Sequence, residues 1–277
     1  MTTTRIFDFS DRRIDAYARL TERQLRNALH PEEALVVCES LYVIRLAALV
    51  GLEFVSVLVD ERHLENLLDT VPELREKEIE VYVASREVLC DITGFQVTRG
   101  YFACVRRPPA RRLSDVLSGA RRVAVIEGLT NVTNVGAVFR SAAALGVDAI
   151  VLSPECADPL SRRSIRVSMG TVFQVPWAVA EGSWPESVFG QLERLGFGTV
   201  ALALDDRALR LDDPSLAGRD RLALFFGTEG TGLTQGVLER VDETVIIPMS
   251  HGVDSLNVAA SSAVAFWELC AKGRPSI

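Results

Sequence analysis

From residue 122 onward, short apolar runs with almost no polar interruption alternate with longer segments whose apolar positions recur at helical spacing. The apolar runs are 122–126, 149–152, 199–204, 222–226 and 244–247, and the helical segments are 134–145, 161–169, 185–195, 234–240 and 255–271, with 173–176 short and extended. A strand that is apolar on both sides must be covered on both faces. Strands that alternate with helices in sequence form parallel sheets, so the pattern dictates an α/β fold. Ligands in such sheets bind beyond the carboxyl ends of the strands. The loops that follow 126, 226 and 247 occupy that position.

The residues before this region read as a separate small α/β unit. Helical periodicity over 14–29 ends at Pro31, and 41–50 and 64–68 are further helices. Segments 54–59 and 80–83 read as strands, and 96–105 as an edge strand. The stretch Arg106-Arg107-Pro108-Pro109-Ala110-Arg111-Arg112 follows, and its two prolines favour an extended chain. The division expected is therefore a first domain over 1–105, an Arg/Pro-rich linker over 106–121 and a second domain over 122–277.

Hydrophobic residues make up 48% of the 277, with ordinary charge, as in a globular protein. No apolar run reaches the ~18 residues of a membrane helix. The N-terminal segment, with Arg5, Asp8, Asp11, Arg12 and Arg13, lacks the apolar core of a secretion signal, so a cytoplasmic protein without membrane contact is expected. Cys38, Cys90, Cys104, Cys156 and Cys270 form no C-x-x-C pair and read as small buried residues in a reducing compartment. His30, His63 and His251 are equally scattered, and no metal is expected.

The net charge of −7 opposes general affinity for phosphate. Its distribution is uneven: the chain is close to neutral up to Arg122, and the remainder carries the acidic excess. Basic residues gather at Arg106, Arg107, Arg111, Arg112, Arg121 and Arg122, and again at Arg162, Arg163 and Arg166. Apart from Lys77 and Lys272 every cation is arginine, which suits bidentate phosphate contacts and equally fits a compositional bias.

Three loops carry the chemistry. The first runs from Glu127 into a helix that Asn134 is placed to cap, with Gly136 and Ala137 permitting close approach and Arg140 within two turns of the start. A capped helix with an exposed arginine would read the same way. The second, Gly227-Thr228-Glu229-Gly230-Thr231-Gly232-Leu233, has neither the lysine of a P-loop nor the glycine spacing of a dinucleotide fingerprint. Its Glu229 would repel a triphosphate and suit a ligand bearing positive charge or hydroxyls. The third passes Pro248 and Gly252 into a helix that opens on Ser255-Leu256-Asn257, more polar groups than a cap requires.

In order, Asn134-Val-Gly-Ala-Val-Phe-Arg140, then Gly227-Thr-Glu229-Gly-Thr-Gly232-Leu, then Ile247-Pro-Met249 with Ser255-Leu-Asn257-Val resemble the three motifs of the SpoU-type (TrmH-like) RNA 2′-O-ribose methyltransferases of the SPOUT superfamily. Residues 164–170 are similar to the region between the first two motifs, and the first half loosely resembles the ribosomal-protein-like RNA-recognition domain of many members. The resemblance implies a parallel-sheet domain with a deep trefoil knot, a homodimer and S-adenosylmethionine as cofactor. It implies methyl transfer to a ribose 2′-OH of structured RNA, with rRNA favoured over tRNA. By position, Gly227, Ile247, Leu256, Leu202, Gly232 and Met249 would bind the cofactor. Arg140, Asn134, Glu229, Ser255 and Asn257 would form the catalytic set. There, Asn134 and Asn257 would orient Arg140 or the ribose, and Glu229 would hold the loop or Arg140. Arg106, Arg107, Arg111 and Arg112 are candidate RNA contacts, and Arg162, Arg163 and Arg166 are candidates for RNA contact or for the dimer interface, with an exposed helix face reading the same way. Methylation of a base nitrogen and a catalytically silent RNA-binding dimer are the alternatives.

Overall fold

The computed structural model describes residues 2–76, 78–93, 100–205 and 207–272; Lys77 and residues 96–99 of the expected edge strand lie outside them. The chain divides into two compact units, Met1–Pro109 with Leu160–Phe173, and Ala110–Pro159 with Gln174–Ile277.

The first unit is a five-stranded sheet flanked by helices. In chain order its elements are β1 (Thr2–Ile6), α1 (Asp15–Ala18), α2 (Glu22–Arg26), β2 (Leu35–Glu39), α3 (Leu41–Leu49), β3 (Phe54–Asp60), α4 (Leu64–Thr70), α5 (Glu73–Glu76), β4 (Glu80–Ala84), α6 (Arg86–Thr93) and β5 (Tyr101–Arg106). The strands lie in the order β1-β4-β3-β5-β2, and β5 runs antiparallel to both of its neighbours. Two expectations fail here. The helix expected over 14–29 is broken, because Thr21 starts a new one with a capping box to Gln24. The strand expected at the edge is interior, because β2, not anticipated, covers its far side. Neither β1 nor β2 has a period long enough to stand out from the sequence.

Residues 160–173 belong to this unit although they lie in the stretch assigned to the second domain. Their helix α7 (Arg162–Val167) is capped by Ser161 and packs against β2. Arg162 is fixed there: its guanidinium bonds the Glu39 carboxylate and donates to the Tyr17 carbonyl at 2.8 Å, while its backbone N–H donates to Glu22 at 2.9 Å. Arg166 shares Glu39 at 3.2 Å. Three donors of Arg162 thus face protein oxygens within this unit. Arg163 is exposed.

The second unit has helices α8 (Leu113–Leu117), α9 (Val132–Ala144), α10 (Glu186–Arg194), α11 (Pro214–Ala217), α12 (Gln235–Leu238) and α13 (Val258–Phe266). Its strands are β6 (Arg122–Ile126), β7 (Ala149–Leu152), β8 (Trp177–Val179), β9 (Gly198–Leu202), β10 (Leu209–Arg210), β11 (Leu222–Phe226) and β12 (Glu243–Ile246). They form one sheet in the order β10-β12-β9-β11-β6-β7-β8, every pair parallel. Val123, Val125, Val151, Ala201, Ala223 and Phe225 are buried on one face against Val188 and Leu192 of α10. Helix α8 lies inside the expected linker, with Leu113, Val116 and Leu117 buried in the same core. The extended segment expected at 173–176 is instead a short 3-10 turn, Thr171–Phe173, followed by β8.

Arg162→Ala should destabilise the protein by about 2 kcal/mol in urea unfolding, because it leaves the largely buried Glu39 with one partner. Arg163→Ala should be neutral within ~0.5 kcal/mol.

Candidate active site

Strands β9, β11 and β12 end side by side, with Phe225 opposite Ala201 and Leu202 opposite Val245. Beyond these ends lies a cavity of about 380 Å³, walled by the strand ends, the 227–233 loop and residues 247–261. Its walls are mostly apolar, with Leu202, Phe226, Leu233, Ile247 and Leu256 prominent, while Glu229, Asp254 and Ser255 supply charge and hydroxyl. That size and mixture are typical of small-molecule sites. All six residues named above as cofactor contacts, Gly227, Ile247, Leu256, Leu202, Gly232 and Met249, line it.

The glycine loop closes on itself. Thr228 and Gly232 exchange backbone hydrogen bonds of 3.0 and 3.1 Å, and the Thr228 hydroxyl accepts from the Thr231 N–H at 3.0 Å. A Cβ on Gly227 would sit 2.2 Å from the Gly232 carbonyl carbon, so no other residue fits there. Gly232 has φ +69°, which glycine adopts at no cost.

At the rim, side chains from all three loops meet. Asn134 Nδ2 donates to Glu229 Oε1 at 2.8 Å, Asn257 Nδ2 donates to the same oxygen, and Asn257 Nδ2 also reaches Asn134 Oδ1 at 3.3 Å. One carboxylate oxygen thus ties two amides that lie 123 residues apart. Of the two partners expected for Glu229, the loop and Arg140, the bonds to Asn134 and Asn257 leave the first, and among the described residues Arg140 bonds none of the three.

Cap positions also differ from expectation. Asn131, not Asn134, caps α9, accepting from the Thr133 N–H; Asn134 is buried one turn further on. Asn257 caps α13 by accepting from Ala259, so Ser255 and Leu256 precede the helix instead of opening it. That helix ends in a π turn, Trp267–Ala271. His251 is exposed in the loop at φ +59°. Arg140 is exposed on α9; its side chain makes no ion pair or hydrogen bond to the described residues and does not line the cavity. Of the remaining arginines, Arg106 donates to the Glu33 carbonyl at 3.1 Å, Arg107 is half-buried with its backbone N–H donating to the Ala34 carbonyl at 2.8 Å, and Arg111 and Arg112 are exposed. The loop-by-loop reading missed Thr228, Leu233 and Asp254, which also line the cavity. The first two lie within the glycine loop, and Asp254 sits one residue before Ser255, so proximity to the motifs was the available signal.

Residues 121–267 match the model of the SpoU rRNA Methylase family. The chain belongs to that family. Among SpoU relatives, an uncharacterized tRNA/rRNA methyltransferase of Mycobacterium bovis is 38% identical, over 97% of this chain and 92% of its own. The 23S rRNA (guanosine(2553)-2′-O)-methyltransferase of Bacillus subtilis is 28% identical, over 72% and 76%. A solved RNA 2′-O ribose methyltransferase superposes with TM-score 0.78 at 28% identity, covering 96% of this chain and 98% of that one. The glycine loop and the Asn134–Glu229–Asn257 cluster both fall inside the SpoU match.

Asn134→Asp, nearly isosteric, would replace the donor to Glu229 by a second carboxylate. Stability at neutral pH should fall by about 2 kcal/mol. Urea melts of both proteins at neutral pH check this.

Proposed function

We propose that the protein transfers a methyl group from S-adenosylmethionine to a ribose 2′-OH of rRNA. The observation that carries this reading is the convergence of Asn134, Glu229 and Asn257 at the rim of a cavity whose walls suit that cofactor. Apolar walls from Leu202, Leu233, Ile247 and Leu256 fit a flat base, and the Glu229 and Asp254 carboxylates fit a cationic sulfur and an ammonium group. The relatives named as 2′-O-methyltransferases support the choice of a ribose oxygen over a base nitrogen.

When bound, S-adenosylmethionine supplies a methyl group on cationic sulfur, which is released as a neutral thioether as the 2′-oxygen takes the methyl and loses its proton. The chain's task is to orient the hydroxyl and stabilise charge on it. A guanidinium already carries its proton at any ordinary pH and is a poor base. Arg140, exposed and without a partner among the described residues, is free to bind the adjacent phosphate and steady the developing alkoxide, the proton passing to phosphate or water. Glu229, held by two amides, keeps the second and third motifs in register beside the ribose. Ser255 positions the nucleotide from the cavity wall.

The finer architecture follows the same reading. The second unit carries the family's trefoil knot in the stretch from β11 to α13. The first unit acts as the ribosomal-protein-like RNA-recognition domain, where Phe7 and Phe9, 79% and 46% exposed, are available for base stacking. Arg111, Arg112 and Arg163 are the exposed candidates for RNA backbone contact. Helix α13 is apolar, yet Val264 and Trp267 at its end stand 41% and 58% exposed, which fits a homodimer that covers them. A cytoplasmic location goes with an rRNA substrate; no helix among the described residues is long and apolar enough to cross a membrane.

Labelled S-adenosylmethionine incubated with rRNA and tRNA from a host lacking this protein should label rRNA at an alkali-resistant linkage. Labelled tRNA with unlabelled rRNA, or an alkali-sensitive product, would overturn the substrate or the ribose assignment. Arg140→Ala should lower kcat about 100-fold and leave cofactor affinity unchanged, because Arg140 is off the cavity wall. Trp267→Glu should convert dimer to monomer in sedimentation equilibrium.

A further inference from the structure

Glu127 stands behind the cavity wall. It is the first residue after β6, only 5% exposed, and it does not line the cavity. A carboxylate so buried is tolerated only with donors on its oxygens. Glu127 has three: Oε1 accepts from Trp184 Nε1 at 2.6 Å and from the Thr234 hydroxyl at 2.8 Å, and Oε2 accepts from the Thr234 N–H at 2.7 Å.

The position of Thr234 gives this arrangement its meaning. Thr234 directly follows the glycine loop and precedes α12, yet its side chain does not cap that helix, being turned to Glu127 instead. The other end of the loop is fixed from the same place. The Glu127 N–H donates to the Phe226 carbonyl at 2.9 Å, and a Cβ on the neighbouring Gly128 would lie 3.0 Å from Thr228 Cγ2. Residues 127 and 128 therefore grip both ends of the segment 227–233, every residue of which faces the cavity.

We infer that Glu127 is a positioning residue for the methyl-donor site, setting the shape of the glycine loop through Thr234 while touching no ligand. The inference rests on the reading of the cavity as the S-adenosylmethionine site.

Its chemistry is specific enough to test by rescue. Glutamine has one acceptor oxygen and one NH2 donor where glutamate has two acceptors. In Glu127→Gln the oxygen can keep the Thr234 N–H, and the NH2 can donate to the Thr234 hydroxyl, which accepts as well as donates. Only the Trp184 indole N–H is then left facing another donor. Trp184→Phe removes that conflict, so the double variant should bind the cofactor better than Glu127→Gln alone.

Calorimetric titration of S-adenosylmethionine into the full-length protein and its variants, with steady-state kinetics alongside, decides the matter. Glu127→Gln should weaken binding about tenfold and raise KM for the cofactor while kcat at saturation holds. Glu127→Gln/Trp184→Phe should return to within about threefold of Trp184→Phe. If Glu127→Gln binds as tightly as the unaltered protein, or loses affinity without rescue in the double variant, Glu127 is only a structural prop and the inference is wrong. Should Glu127→Gln fail to fold, Thr234→Val removes one donor and leaves the backbone N–H. A loss of about threefold in affinity would support the inference and unchanged affinity would sink it. No binding by the unaltered protein would overturn the methyl-donor reading itself, a result distinct from binding that is indifferent to Glu127.

Discussion

Every loop that builds the site leaves the sheet at one edge, because β6, β9, β11 and β12 are held parallel by their backbone ladders. Phe226 lies opposite Ile126 in that register, so the loops after β6 and β11 start side by side although the strands are about a hundred residues apart. Reversing one strand would send its loop to the far side of the unit. The ladder thus does at long range what no local signal achieves: it brings Asn134, Glu229 and Asn257 within hydrogen-bond distance.

On that frame the glycine loop sets the shape of the cavity. With Gly227 against the Gly232 carbonyl there is no room for a side chain, and the loop becomes a thin wall of backbone with Thr228 and Thr231 tied to each other. A thin wall exposes peptide groups to a ligand, and apolar side chains from β9 and the third loop face it across the cavity. Polar recognition from backbone and apolar contact from side chains therefore come from opposite walls.

Much of this was legible in the sequence, for identifiable reasons. Continuous apolar runs reveal buried parallel strands because burial on both faces is a local property, and β6, β7 and β11 fall where the runs lie. The three motifs were legible because their residue types stand in a fixed order. What failed depended on partners remote in sequence. Asn131 and Asn134 are chemically equal caps, and only Glu229, from the glycine loop, explains why Asn134 belongs inside the helix. The position of β5 inside its sheet depends on β2, whose few residues carry no period. The bond of Arg162 to Glu39 was hidden because Glu39 lies 123 residues earlier.

The same separations bear on how the molecule comes into being. The bonds that close the rim join residues 95 and 123 positions apart, and Glu127 meets Thr234 across 107. Such contacts are made only after the entropy of long loop closure has been overcome, which places them late in folding. During synthesis, β6 and β7 leave the ribosome long before Asn257 exists, so a nascent chain carries Asn134 and Glu127 with none of the groups that will satisfy them. Assembly of the rim is thus a checkpoint on completion of the chain: a truncated product ending before α13 would keep most of the sheet and lack the third wall of its site.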